Sequence, residues 1–118
     1  MISLNEARIM LNEIDSKMVI LFEQDQKHPL STTKEKIATL RKERLMIIKD
    51  VAIYKHKHKL PIYDPQREQE LIKRNCDLLE DKSLIPNYLI FINELLLESK
   101  NYQKAFITSQ YPDASLPD

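Results

Sequence analysis

The chain has 118 residues, with no glycine, no tryptophan and one cysteine. Glycine is the residue that most readily takes the backbone angles of tight hairpins and phosphate-binding loops, so its absence argues against both. A single cysteine excludes an intramolecular disulfide and offers no cysteine pair for zinc. These absences favour helices joined by short turns, and they leave no sequence support for a nucleotide-binding loop.

Net charge and long apolar runs are also lacking. The 18 Lys and Arg residues balance the 18 Asp and Glu residues, so no overall field attracts nucleic acid or a membrane surface. No apolar run reaches the ~18 residues of a membrane span, and no signal peptide is visible. We therefore expect a cytoplasmic protein without nucleic-acid or membrane partners. Cys76 lies in an apolar helical pattern and is interpreted as a small core residue rather than a catalytic thiol.

Apolar residues recur with the period of an α-helix in four segments. Ser3 and Glu6 have the spacing of a capping box, as do Thr32 and Glu35, and Pro29 ends the first segment. The predicted helices run from Ser3 to about Lys27, from about Thr32 to the His56–Lys59 stretch, from Asp64 to about Asp81, and from Pro86 to about Phe106. The sequence thus predicts an all-α four-helix bundle, with one domain over residues 1–108 and a disordered tail over 109–118.

Six polar residues interrupt the apolar stripes of these helices: Arg8, Arg44, Lys55, Glu68, Ser99 and Gln103. Arg44 and Lys55 are 11 residues apart, about three turns, and therefore share a helix face. Ser99 and Gln103 share a face in the same way. Any one of the six could be a rim residue whose aliphatic stem alone is buried. Together, three cations, a carboxylate, a hydroxyl and an amide indicate a pocket for a small acid with hydroxyl or ether oxygens.

The His56–Lys59 run suggests a metal or phosphate site at first sight. Its two histidines are two residues apart at a helix end, so they face different directions. We interpret the run as a solvated turn that places cations at a helix C-terminus, and we predict no metal and no cofactor.

The sequence around these residues resembles the all-α chorismate mutases over residues 3–24 and 44–106. The resemblance is most specific from Arg44 to Glu68, where Pro61-Ile-Tyr-Asp-Pro-Gln-Arg-Glu68 stands after the helix that carries Lys55. The matching residues are Arg8 with Ile14-Asp15, then Arg44, Lys55, Asp64, Arg67 and Glu68, and finally Ser99 and Gln103.

The resemblance implies conversion of chorismate to prephenate, a pericyclic rearrangement that needs neither metal nor cofactor. It implies that Arg8 and Arg44 bind the two substrate carboxylates, and that Lys55 and Gln103 donate hydrogen bonds to the ether oxygen. The other implied residues are Glu68, which accepts from the ring hydroxyl, Ser99 near a carboxylate, and Asp64 and Arg67 in the wall of the site.

The chain departs from the family by about 19 extra residues, 25–43, within what is usually one unbroken first helix. In the family, two chains pair these long helices, and each site borrows its first arginine from the partner. Pro29 predicts a hinge near residues 28–32. Arg8 lies 21 residues before Pro29, and 21 residues after it is Asp50, midway between Arg44 and Lys55. Folding at the hinge would complete the site within one chain. We expect a monomer, with a domain-swapped homodimer as the rival arrangement.

Two other functions remain open from the sequence. One is a lyase of the same fold that releases pyruvate from isochorismate, although Glu68 and Ser99 fit the mutase pattern better. The other is a helical binding or regulatory module without activity, in which the extra residues displace Arg8 and leave the pocket incomplete.

Overall fold

The computed structural model describes residues 2–112 and confirms an all-α fold. No strand occurs within these residues. The elements are α1 (Leu4–Lys27), α2 (Ser31–Lys57), α3 (Pro65–Leu78), a 3-10 turn (Lys82–Leu84) and α4 (Ile85–Gln110). Helix α1 packs on α2 and α3. Helix α4 also packs on α2 and α3, so contacts between neighbouring helices form a closed ring.

The first helical arm ends at a turn of three residues, His28–Leu30, which confirms the break predicted near Pro29. Proline disfavours helix in the preceding residue and cannot donate a backbone hydrogen bond. The N–H of His28 still caps α1 by donating to the carbonyl of Gln24 at 2.8 Å. Because α1 and α2 pack on each other on either side of this turn, α1 folds back along α2 of its own chain.

The helix starts agree with the sequence at two of three capping signals. Ser3 Oγ accepts the N–H of Glu6 at 3.1 Å, and Asp64 caps α3 with Pro65 in its first turn. The predicted cap at Thr32 is wrong: α2 begins at Ser31 without any side-chain cap. The Lys34–Asp25 ion pair at 2.6 Å instead joins the two arms across the turn.

Helix α3 ends at Leu78, three residues before the predicted end at Asp81. The carboxylate of Glu23, on α1, accepts the backbone N–H groups of Glu80 and Asp81 at 3.0 and 2.8 Å. A contact between distant segments therefore provides the hydrogen bonds that another helical turn would have made. Helix α4 instead ends later than predicted, because Ser109 and Gln110, which were predicted to belong to the tail, are helical. The rest of that predicted tail from residue 113 onward lies outside the described residues.

The apolar core contains buried residues from all four helices. Phe22 packs edge-on against Tyr88 and tilted against Phe91, with ring centroids 5.3 and 5.2 Å away. Cys76 packs against this core, half-buried, and burial raises the pKa of its thiol. The main buried apolar residues are Leu11, Ile14, Met18, Val19, Phe22, Ile48, Val51, Leu71, Tyr88, Ile92 and Leu95.

Candidate active site

A small cavity, partly open to solvent, lies at the end of the bundle opposite the hinge. It is enclosed by the start of α1, the end of α2, the start of α3 and the end of α4. All eight side chains that the sequence singled out line it: Arg8, Arg44, Lys55, Asp64, Arg67, Glu68, Ser99 and Gln103. The remaining lining residues are mainly apolar, so the polar groups converge on a small space.

Arg44 is held by a buried ion pair with Asp15 of α1. Its Nε lies 2.9 Å from one oxygen of Asp15 and its Nη2 lies 3.4 Å from the other. The exposed fractions of the two side chains are only 3% and 1%. The third nitrogen, Nη1, donates to Ser99 Oγ, and that hydroxyl donates to the carbonyl of Leu95. The guanidinium is therefore fixed in orientation before any ligand arrives.

The C-terminal end of α2 determines the surroundings of the Lys55 side chain. The N–H of Leu60 donates to the carbonyl of Lys55 at 2.8 Å, and the N–H of Lys59 donates to that of His56 at 3.2 Å. This is the Schellman pattern, with Lys59 at φ 53° in the position that glycine usually takes. The chain turns back there, and the ammonium of Lys55 donates to the carbonyl of Ile62 at 2.8 Å.

Burial lowers the pKa of the Lys55 ammonium, and the positive charge of Arg8 lowers it further. Asp64 and Glu68 act in the opposite direction but more weakly. Lys55 is thus a cation with incomplete charge compensation, which an anionic ligand would improve.

Arg8 reaches the cavity from α1 of the same chain. Its Nη2 lies 3.2 Å from an oxygen of Asp64, whose other oxygen accepts the N–H of Arg67 at the start of α3. One carboxylate therefore caps α3 and holds the arginine of α1. The geometry places Arg8 at the level of Lys55, as expected if the arm folds back at the hinge.

Glu68 forms an ion pair with Lys100, a lining residue that the sequence reasoning did not single out. The ammonium lies 3.1 Å from one carboxylate oxygen and 3.4 Å from the other. It also lies 4.7 Å from the centre of the Tyr63 ring, a cation–π distance. Glu68 of α3 and Lys100 of α4 are thus connected at the wall of the cavity.

The last two polar residues differ in how fully they are paired. Arg67 Nη2 donates to Asn12 at 3.1 Å, and burial, followed by the charge of Arg8, lowers its pKa. Gln103 is 4% exposed, and its side-chain oxygen has no hydrogen-bond partner among the described residues. A buried amide with unused hydrogen-bonding capacity costs free energy unless a ligand or water satisfies it.

The charges around the cavity leave a surplus of two positive charges. Three cations are paired with carboxylates, in the pairs Arg8–Asp64, Arg44–Asp15 and Lys100–Glu68. Lys55 and Arg67 also line the cavity, and neither has a carboxylate within 4.0 Å in residues 2–112. The surplus equals the charge of a ligand with two carboxylates.

Sequence reasoning missed two contributors to this site, the carbonyl of Ile62 and Lys100, and named a third, Asp15, without giving it a role. The carbonyl of Ile62 belongs to the backbone and leaves no composition signal. Lys100 resembles any surface lysine until α3 is placed beside it. Asp15 was part of the Ile14-Asp15 pattern, and its position seven residues after Arg8, two helical turns on the same face, was the available signal.

The histidine run at the end of α2 has two separate stacking contacts. His56 stacks on Tyr111 with ring centroids 3.9 Å apart, and His58 stacks on Tyr54 at 4.0 Å. In residues 2–112 no group of three or more His, Cys, Asp or Glu side chains is arranged to hold a metal ion. Within the same residues no helix has both the length and the apolar character needed to cross a bilayer.

A known protein family matches more than half of the chain. The family model described as chorismate mutase type II matches residues 32–104, which is 73 of the 118 residues. The matched range includes every predicted site residue except Arg8, which lies on the arm before it. No solved structure matches the chain. Because the family model matches more than half of the chain in one continuous segment, the chain belongs to the chorismate mutase type II family.

Proposed function

We propose that this cavity binds the chorismate dianion and converts it to prephenate, the isomerase reaction of the family to which the chain belongs. The observation that carries the proposal is the convergence of polar side chains from all four helices with a surplus of two positive charges. In the rearrangement the ether C–O bond breaks while a C–C bond forms in the same molecule. No atom is gained or lost, and no nucleophile is required.

Arg44 and Arg8 are proposed to bind the two carboxylates. A ligand held at both ends loses the extended conformations in which the reacting carbons are far apart, which is a large part of what such a site can contribute. The support for Arg44 is its fixed orientation against Asp15 and Ser99. Ser99 would lie near the same carboxylate. Asp64 supports Arg8 through their contact at 3.2 Å.

Lys55 and Gln103 are proposed to stabilise the negative charge that develops on the ether oxygen as its bond to the ring carbon breaks. Lys55 has donor hydrogens left after its bond to Ile62, and the side chain of Gln103 is buried at the cavity wall. Donors that already point toward a developing charge need no rearrangement during the reaction, which is the largest contribution in many enzymes. Glu68 would accept from the ring hydroxyl, and Arg67 would support the wall.

The chain is further proposed to act as a monomer. The support is that α1 folds back on its own α2, so that Arg8 and Asp15 reach the site formed by the rest of the same chain. A domain-swapped homodimer would contain the same contacts between chains. A cytoplasmic location also remains a proposal, which rests on the sequence alone and is testable by fractionation of cells expressing the full chain.

The decisive experiment measures chorismate loss and prephenate formation by NMR at nanomolar enzyme, with the mass determined by light scattering on the same sample. The expected result is stoichiometric conversion of chorismate to prephenate by a protein with the mass of a monomer. Isochorismate is assayed in parallel for pyruvate and salicylate; their release without prephenate formation would establish the lyase instead. Absence of turnover with both substrates would indicate a module without activity.

A further inference from the structure

Lys100 connects three parts of the site wall. Its ammonium contacts both carboxylate oxygens of Glu68, at 3.1 and 3.4 Å, and faces the ring of Tyr63 at 4.7 Å. The exposed fractions of Lys100 and Glu68 are 25% and 21%, so the pair lies at the mouth of the cavity rather than free on the surface. Both residues line the cavity.

Without Lys100, little would hold the Glu68 carboxylate in one orientation. A glutamate side chain has several rotatable bonds, and its head can turn outward to water at little cost. Within residues 2–112 the Glu68 carboxylate accepts a hydrogen bond from Lys100 alone. The lysine in turn is held between the carboxylate and the Tyr63 ring, which leaves its own head few positions.

We propose that Lys100 is a positioning residue, which holds Glu68 so that its carboxylate accepts the ring hydroxyl of the substrate. This inference rests on the proposed function and adds to it a source of specificity. A carboxylate held in place to accept this hydroxyl would favour the hydroxylated substrate over an analogue that lacks the hydroxyl. Lys100 thus contributes to selection of the hydroxylated dianion without contacting the reacting atoms.

A double-mutant cycle tests this role. Lys100→Met, which keeps an apolar stem without the charge, is expected to lower kcat/KM for chorismate about tenfold, the effect of a misplaced hydrogen bond to a charged group. Glu68→Gln removes the acceptor charge directly. If Lys100 acts through Glu68, the double variant has nearly the same kcat/KM as Glu68→Gln alone. The matched control is Lys104→Met, one turn further along α4 and exposed, which is expected to leave kcat/KM unchanged.

The outcomes separate the possible roles of the lysine. Multiplicative effects in the double variant would mean that Lys100 contacts the substrate itself, and this would overturn the proposal. An unchanged kcat/KM with a lowered Tm would also overturn it, since the pair would then be structural. If the Lys100→Met variant folds poorly, Lys100→Gln replaces it in the double-mutant cycle. A wild-type chain that leaves chorismate unchanged would refute the proposed function and the positioning role with it, whereas any failure confined to the variants refutes only the latter.

Discussion

At the scale of single residues, the site is built from charges that hold one another before a ligand arrives. Asp15 and Ser99 orient Arg44, and Asp64 orients Arg8. Burying an ion pair contributes little net stability, because desolvation offsets the attraction. The benefit lies in orientation, since a pre-positioned arginine loses less entropy when a carboxylate binds.

Gln103 gives the first residue-scale prediction. Because its amide is proposed to donate to the ether oxygen, Gln103→Ala should lower kcat by roughly 10²–10³, the cost of removing one such donor. Gln69→Ala, an exposed residue on α3, is the matched control and should leave kcat unchanged. Steady-state kinetics with both variants provides the measurement. A loss below tenfold in the folded Gln103 variant would remove the residue from its proposed role.

Lys55 gives a prediction about pH. The proposed active form is the ammonium, and burial lowers its pKa in the free enzyme from the ordinary 10.5. Because kcat/KM follows the protonation of the free enzyme, kcat/KM should fall as pH rises through a value below 10.5. Between the folded and unfolded pKa values the unfolded chain binds more protons, so the Lys55 contribution to stability rises with pH. The alkaline loss of kcat/KM should therefore occur while the helical circular dichroism signal is unchanged.

The charge of Arg8 is the second cause of the lowered pKa of Lys55. Arg8→Gln should therefore move the alkaline fall of kcat/KM to higher pH, even though the variant turns over more slowly. A profile that keeps its position would show that the titrating group is not Lys55. Gln103 titrates nowhere in this range, so activity should persist at neutral pH.

At the scale of helices and turns, the end of α2 positions both Lys55 and the loop that follows. Three successive loop residues each contact a cation from a different helix: Ile62 with Lys55, Tyr63 with Lys100 and Asp64 with Arg8. The loop therefore joins α1, α2 and α4 around the cavity. Its direction depends on Lys59, which has φ 53°.

Replacing Lys59 should stabilise this turn. A residue with a Cβ in the left-handed region costs roughly 1–2 kcal/mol, part of which glycine loses again through its freer unfolded state. Lys59→Gly should therefore raise the free energy of unfolding by roughly 0.5–1 kcal/mol, as measured by urea denaturation. The same substitution within α2, Lys42→Gly, should lower it by about 1 kcal/mol. Equal destabilisation by both would contradict the role given to the turn.

Sequence patterns predicted these elements where the cause was local. The Asp64-Pro65 start of α3 and the Pro29 break depend on neighbouring residues, and both were predicted correctly. The end of α3 depends on Glu23 from another helix, and no local signal contains that contact. The site follows the same division. Helical spacing indicated six of the eight predicted lining residues, and the family resemblance added Asp64 and Arg67, but neither indicated Lys100 or the carbonyl of Ile62. The proposed roles of the eight remain predictions.

At the scale of the whole molecule, the turn at His28–Leu30 determines which chain supplies the arm with Arg8 and Asp15. The same contacts could form between two copies if the turn opened, because the sequence of every contact surface would be unchanged. A measurement of mass distinguishes the monomer from the domain-swapped dimer only when exchange between the two is slow. A functional test that requires residues on both sides of the hinge is sharper.

Mixing two inactive variants provides that test. Arg8→Ala lacks the contribution of α1, and Gln103→Ala lacks that of α4. If each chain closes on itself, refolding the two together restores no activity, because neither chain holds a complete site. An exchanged dimer would combine the arm of one with the bundle of the other, so each mixed dimer would regain one complete site. We expect no recovery and a monomeric mass, and recovered turnover would replace the monomer by the swapped dimer.

The control for this experiment removes the hinge. Replacing His28–Leu30 by three alanines removes the proline that breaks the helix and supplies strong helix formers. The two arms should then continue as one helix, which separates Arg8 from its own cavity and leaves pairing with a second chain as the way to bury the apolar face. This variant should be dimeric, and the same two inactivating substitutions placed in it should complement on mixing. Complementation only in the hinge-free background would assign the monomeric state of the natural chain to the three residues around Pro29.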